Sequence, residues 1–114
     1  MADVEDRDSI KARAQDDNIA GIVAILRDHA AEIRDLGVVS IDLFGSRARG
    51  DERKDSDLDV LVAYDPTLPF TLYDLVRVER LLERVTGLDV HVATRDSFRP
   101  DHLKRVLGHA VSVL

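Results

Sequence analysis

Residues 45–62 read GSRARGDERKDSDLDVLV, and this stretch decides how the rest of the chain is arranged. A Gly-Ser pair, Gly45 and Ser46, is followed by ten residues and then by Asp57-Leu58-Asp59. Just upstream, Val38–Phe44 (VVSIDLF) is rich in β-branched and aromatic residues, which predicts a strand ending at the Gly-Ser pair. Just downstream, Leu58–Tyr64 (LDVLVAY) predicts a second strand. Side chains alternate across a strand, so Asp57 and Asp59 share one face while Leu58, Val60 and Val62 point into an apolar layer.

That placement has a chemical consequence. Two carboxylates roughly 6–7 Å apart along a strand repel each other when ionised, and a divalent cation between them removes the conflict. Mg²⁺ prefers oxygen ligands, commonly one or two carboxylates completed by substrate phosphates and water. Gly45 lets backbone approach a ligand closely, and a strand turning sharply into a short helix exposes N–H groups that suit phosphate oxygens. The Ser46 hydroxyl adds a donor. Arg47 and Arg49 supply positive charge, and phosphate contact is expected for at least one of them, pairing with Asp51, Glu52 or Asp55 being the competing reading. Arg53 and Lys54 read as solvated loop charges.

Outward from this core, 17–36 predicts a helix, with Ile19, Ile22, Val23, Leu26, Ala30 and Ile33 at helical spacing, Asp16 or Asp17 as cap and Gly37 at its end. A second helix is predicted over 71–86, with Leu72, Leu75, Val76, Leu82 and Val85 on its apolar side. A third strand is predicted over 88–94 (LDVHVAT), and a last helix over 100–114, with Pro100 in the first turn and Leu103, Val106, Leu107, Val111 and Leu114 as its stripe. The order is α-β-β-α-β-α, an α+β (α/β layered) domain over 17–114 with helices covering one sheet, preceded by a polar tail or short helix over 1–16.

Composition bounds the function. The 114 residues fit one domain with a small core, and five aromatics leave Val, Leu, Ile and Ala to build it. A net charge of −6 argues against direct nucleic-acid binding, which usually needs a basic face. The chain has no cysteine, so disulfides and thiolate metal sites are excluded, which fits a cytoplasmic location. No stretch approaches the roughly 18 apolar residues of a membrane span. The acidic N-terminus does not read as a secretory signal. Neither G-x-x-x-x-G-K-[ST] nor G-x-G-x-x-G occurs, so two other phosphate motifs are absent.

Gly-Ser, ten residues, then Asp-x-Asp resembles the signature of the DNA polymerase β-like nucleotidyltransferases. The longer string is similar to the minimal nucleotidyltransferases, or MntA-type antitoxins, over residues from about 20 to the C-terminus. The resemblance implies a small mixed sheet covered by helices, Mg²⁺ held by Asp57 and Asp59, and ATP gripped through Gly45, Ser46, Arg47 and Arg49. It implies AMP transfer to a protein hydroxyl, with a HEPN-domain toxin as partner and acceptor. Larger relatives carry added domains that hold nucleic acid or drug; none is read in these 114 residues, and the acceptor is therefore expected to be held mainly by another protein or a second copy. The apolar stripe of the last helix is a candidate docking surface.

One position departs from the pattern. Active members of the family usually carry a third carboxylate on the next strand, in a string like VDLVT. Here Val90-His91-Val92-Ala93-Thr94 places His91 there, with Asp89 two residues earlier on the same face. Either Asp89 serves through a shift of register, or His91 stands in the site. Imidazole is a poorer Mg²⁺ ligand than carboxylate. The second case opens an alternative: a catalytically weakened, nucleotide-binding antitoxin that neutralises its toxin by occlusion. A third reading makes His91 a hydrogen-bonding residue at a sheet edge. His29, His102 and His109 read as surface histidines, Asp42 as exposed or ion-paired, and Tyr64 and Tyr73 as packing residues beside a loop.

Overall fold

The computed structural model describes residues 18–50 and 57–114. The tail over 1–16, the caps Asp16 and Asp17, and the loop residues Asp51, Glu52, Arg53, Lys54 and Asp55 lie outside the described residues. The chain opens with α1 (Asn18–Asp28) and α2 (Ala30–Asp35), continues through β1 (Val38–Phe44) into α3 (Gly45–Arg49), and resumes with β2 (Leu58–Tyr64) and α4 (Leu72–Thr86). It ends with β3 (Val90–Thr94), a 3₁₀ turn (Arg95–Ser97), α5 (Pro100–Gly108) and β4 (Val111–Ser112). The sheet order is β3-β2-β1-β4, with β2/β3 parallel and both neighbours of β1 antiparallel. The α+β architecture with a mixed sheet is therefore as expected.

The two faces of the sheet differ because side chains alternate along each strand. Leu43, Val60 and Val92 align across three strands, and with Ile41, Leu58, Val62 and Val90 they join one buried cluster. That cluster is closed by Ile22 and Leu26 of α1, Ile33 of α2 and Val78, Leu82 and Val85 of α4. The opposite face carries Phe44, Asp59 and His91 side by side, since Phe44 pairs with Asp59 and Asp59 with His91. The helical layer thus occupies one face and leaves the motif residues on the other.

Several elements differ from expectation, each for a local reason. The helix over 17–36 is two helices, because His29 leaves helical geometry at φ −107° and ψ 20°. The bend allows Ile22, Leu26 and Ile33 all to be fully buried. β1 starts with a register shift between Val38 and Ser40, so Val38 is buried while Val39 is 55% exposed. On α4 the buried side is Val78, Leu81, Leu82 and Val85, whereas Leu72 is 76% exposed and Val76 also faces outward. The helix start is set by a capping box, in which Thr71 N donates to Asp74 Oδ2 at 2.8 Å and Asp74 N to Thr71 Oγ1 at 3.3 Å.

The last helix stops at Gly108 instead of running to the C-terminus. Val111–Ser112 form a fourth strand against β1, Val113 N donates to Ile41 O at 2.9 Å, and Val113 is buried. Arg27 Nε on α1 donates to Val113 O at 3.0 Å, fastening this strand to the helical layer. The expected stripe of Leu103, Val106, Leu107, Val111 and Leu114 is accordingly split between a short helix and a strand, and its three helical members are half-buried. It does not form one continuous exposed docking face. No helix among the described residues is long and apolar enough to cross a membrane.

Candidate active site

The site is built where β1 ends. Phe44 is extended, Gly45 turns the backbone at φ 77°, and the five residues of α3 follow directly. A positive φ is costly for any residue with a Cβ, and here space adds a second demand. A Cβ on Gly45 would overlap the Asp59 carboxylate and lie 3.0 Å from its Cγ. Glycine at this position therefore brings a backbone turn into contact with an acid of the neighbouring strand. Sequence spacing predicted this convergence of Gly-Ser and Asp-x-Asp, and sheet pairing of Phe44 with Asp59 produces it.

Asp57 is exposed just before β2, while Asp59 is half-buried at the strand's second position. Burial holds the Asp59 carboxyl above the usual carboxylate range. His91 opposes this, the Asp57 charge adds to it, and Arg49 opposes it again. His91 Nδ1 lies 3.7 Å from Asp59 Oδ1, an ion pair when the imidazole is protonated. Asp89 sits one residue ahead of β3 with an exposed side chain, and its carbonyl accepts from Leu58 N at 2.8 Å. His91 is thus the residue of β3 set directly beside Asp59, with Asp89 two positions earlier, nearer the level of Asp57.

The two arginines of α3 are separated by the fold. Arg47 is 3% exposed, whereas Arg49 is exposed and acts electrostatically on Asp59. Arg47 presents little surface to a ligand, and Arg49 borders an open cleft of about 550 Å³ on the sheet's free face. This volume lies within the roughly 300–1,000 Å³ typical of small-molecule sites. Phe44, Gly45, Ser46 and Asp59 form one wall with Arg49. The other wall is Phe98 together with His102, Arg105 and Val106 of α5 and His109 just after it.

The sequence reading missed that second wall. It exists because the turn after β3 is tied down over the sheet. Arg95 Nη2 donates to Asp42 Oδ2 at 3.2 Å, Tyr64 Oη to Asp96 Oδ2 at 2.9 Å, and Ser97 Oγ to Thr94 O at 2.6 Å. Phe98 then meets Phe44 edge-on at 6.0 Å and His102 at 5.2 Å. A usable signal was present: positions 102, 105, 106 and 109 share one helical face. His102 and His109 are exposed, as expected of surface histidines, but they line the cleft. Asp42 is ion-paired with Arg95. Tyr64 stacks on Phe70 at 4.6 Å, and Tyr73 lies exposed beside Arg77.

Among the described residues no three His, Asp or Glu side chains form a ready metal cage. The donors fit a hard divalent cation that takes its remaining ligands from substrate oxygens and water. Asp59 is partly desolvated, and the nearby Asp57 charge raises it further. A separate hollow of about 380 Å³ between α2 and α4 is lined by Glu32, Arg77, Arg80 and Arg84, and contains none of the motif residues.

This fold and this pairing of a Gly-Ser turn with an Asp-x-Asp strand define a polymerase β-like nucleotidyltransferase. The nucleotidyltransferase domain family matches residues 26–113, and the chain belongs to it, among the minimal nucleotidyltransferases of the MntA type. The protein adenylyltransferase MntA of Thermococcus cleftensis is 37% identical over 93 residues, covering 81% of this chain and 92% of its own. A solved minimal nucleotidyltransferase superposes with a TM-score of 0.63 at 32% identity, covering 96% of this chain and 98% of that one. A crystal structure of a toxin–antitoxin with AMP-PNP superposes with a TM-score of 0.62 at 21% identity, covering 77% and 72%, a likeness of fold alone.

Proposed function

We propose that this chain is a Mg²⁺-dependent protein adenylyltransferase that transfers AMP from ATP to a hydroxyl of a HEPN-type toxin, and so acts as its antitoxin. The observation that carries the reading is the contact between the Gly45 turn and the Asp59 carboxylate, which joins a phosphate-binding bend to an acid pair. A relative named protein adenylyltransferase MntA, and proteins of the same fold in a toxin–antitoxin with AMP-PNP and in a complex of a HEPN toxin with an MNT antitoxin, support the donor and the partner class.

In this reading Asp57 and Asp59 hold Mg²⁺, and Gly45 N–H and Ser46 grip the β and γ phosphates. Arg49 takes the phosphate contact, while the buried Arg47 serves the packing of α3. When bound, Mg²⁺ neutralises triphosphate charge and polarises the phosphoryl group under attack. The acceptor oxygen bonds to the α-phosphorus, the bond from that phosphorus to the α,β-bridging oxygen breaks, and pyrophosphate leaves. The acceptor proton passes to a group at the His91 end of the site, His91 itself or Asp89. Alignment of the two reactants does the remaining work.

The test is intact mass of the partner after incubation with this chain and Mg²⁺-ATP. Additions of AMP that disappear in Asp57→Asn and Asp59→Asn are expected. Inhibition of the partner by those variants, with no mass change from the wild-type chain, would instead establish neutralisation by occlusion. His91 beside Asp59 favours that second reading. A large gain of transfer in His91→Asp would show that the natural site is weakened, and loss in Asp89→Asn would assign the proton-accepting role to Asp89.

A further inference from the structure

We propose that Arg105, on the second wall of the cleft, is a triphosphate-binding residue that selects nucleoside triphosphate over monophosphate; this rests on the nucleotide site of the proposed function. The argument begins with charge. A triphosphate brings more negative charge than one divalent cation removes, and the cation is itself shared with Asp57 and Asp59. On the motif wall the arginine that borders the cleft is Arg49, because Arg47 is buried. Across the cleft, Arg105 is the other lysine or arginine among the described lining residues.

Its surroundings leave it available. The Arg105 side chain is 72% exposed, and its ion pair with Asp101 is at 4.0 Å between two solvated groups. Such a contact is weak and easily exchanged. Its neighbours on the same wall are differently engaged: His102 packs edge-on against Phe98, and Val106 is apolar. An arginine here offers planar paired donors to phosphate oxygens, from the side opposite Gly45 and Ser46. The position is delivered by tertiary structure, through the Asp42–Arg95 and Tyr64–Asp96 bonds that place α5 over the sheet. Arg105 thereby makes a phosphate site from two segments 56 residues apart in the chain (105 minus 49).

The experiment is calorimetric titration of the full chain, without acceptor, by ATP and separately by AMP, both with Mg²⁺. Arg105→Gln is expected to weaken ATP binding on the order of tenfold or more and to leave AMP binding within about twofold. Arg105→Lys should recover part of the loss. Circular dichroism checks that each variant is folded. Two results overturn the inference while leaving the nucleotide site standing. One is unchanged ATP affinity in Arg105→Gln when Asp59→Asn loses it, and the other is an equal loss for ATP and AMP. Failure of the wild-type chain to bind ATP at all overturns the proposed function, and Arg105's role with it.

Discussion

Gly45 shows how much one residue can carry. Its φ of 77° already disfavours a Cβ, and the Asp59 carboxylate fills the space a Cβ would take. Gly45→Ala is therefore expected to lose about 1–3 kcal/mol in urea denaturation and to abolish Mg²⁺-dependent ATP binding in calorimetry, since the turn must shift away from the acid pair. Asp59 makes a complementary case. Its folded carboxyl is raised above its unfolded value, so ionisation costs the native state stability. The penalty is absent below the unfolded value, grows as pH rises through the raised folded one, and is complete above it. Asp59→Asn should consequently raise the metal-free thermal midpoint at pH 7, with the gain shrinking as pH falls from the raised folded value towards the unfolded one near about 4 and absent below it. A variant no more stable than wild type at neutral pH would contradict the desolvation account.

At the scale of elements, local chemistry and long-range packing divide the work. The α4 start is written locally: Thr71 and Asp74 exchange bonds, and Gly87 ends the helix in a left-handed turn at φ 71°. Thr71→Ala should cost about 1 kcal/mol in urea unfolding, within the roughly 0.5–2 kcal/mol range for lost caps, and leave ATP affinity unchanged because the cap lies outside the cleft. The C-terminus is different. Val111 and Leu114 continue the helical spacing of Leu103 and Leu107, yet β4 forms because the outer edge of β1 is unpaired without it. The buried Val113 and the Arg27 bond then hold it in place. The break at His29 and the bulge before Ser40 have the same origin, since each turns a side chain towards a core that the local spacing cannot see.

For the whole molecule, the arrangement separates stability from chemistry. One face of the sheet is committed to the helical core, and the other carries Phe44, Asp59 and His91 under the wall made by α5. Binding on the free face should act on the entire cooperative unit. Mg²⁺-ATP at about 100 times its dissociation constant would add roughly 2.7 kcal/mol, a thermal shift of several degrees in scanning fluorimetry. The shift is expected to vanish in Asp57→Asn and Asp59→Asn. Persistence in those variants would place the nucleotide elsewhere.

By itself the sequence determined the strands around the motif, the Gly-Ser bend and the family. All of these follow from period-two alternation and fixed short-range spacing, which any reader of the chain can count. Tertiary structure alone decided that Arg47 is buried while Arg49 faces the cleft, that His91 stands beside Asp59, that the last residues form a strand, and that Phe98 and Arg105 face the motif. Those outcomes depend on which strands pair and on how a tied-down turn carries α5 across the sheet. Such contacts join residues far apart in the chain, and local spacing can show that 102, 105, 106 and 109 share a face but not what that face meets.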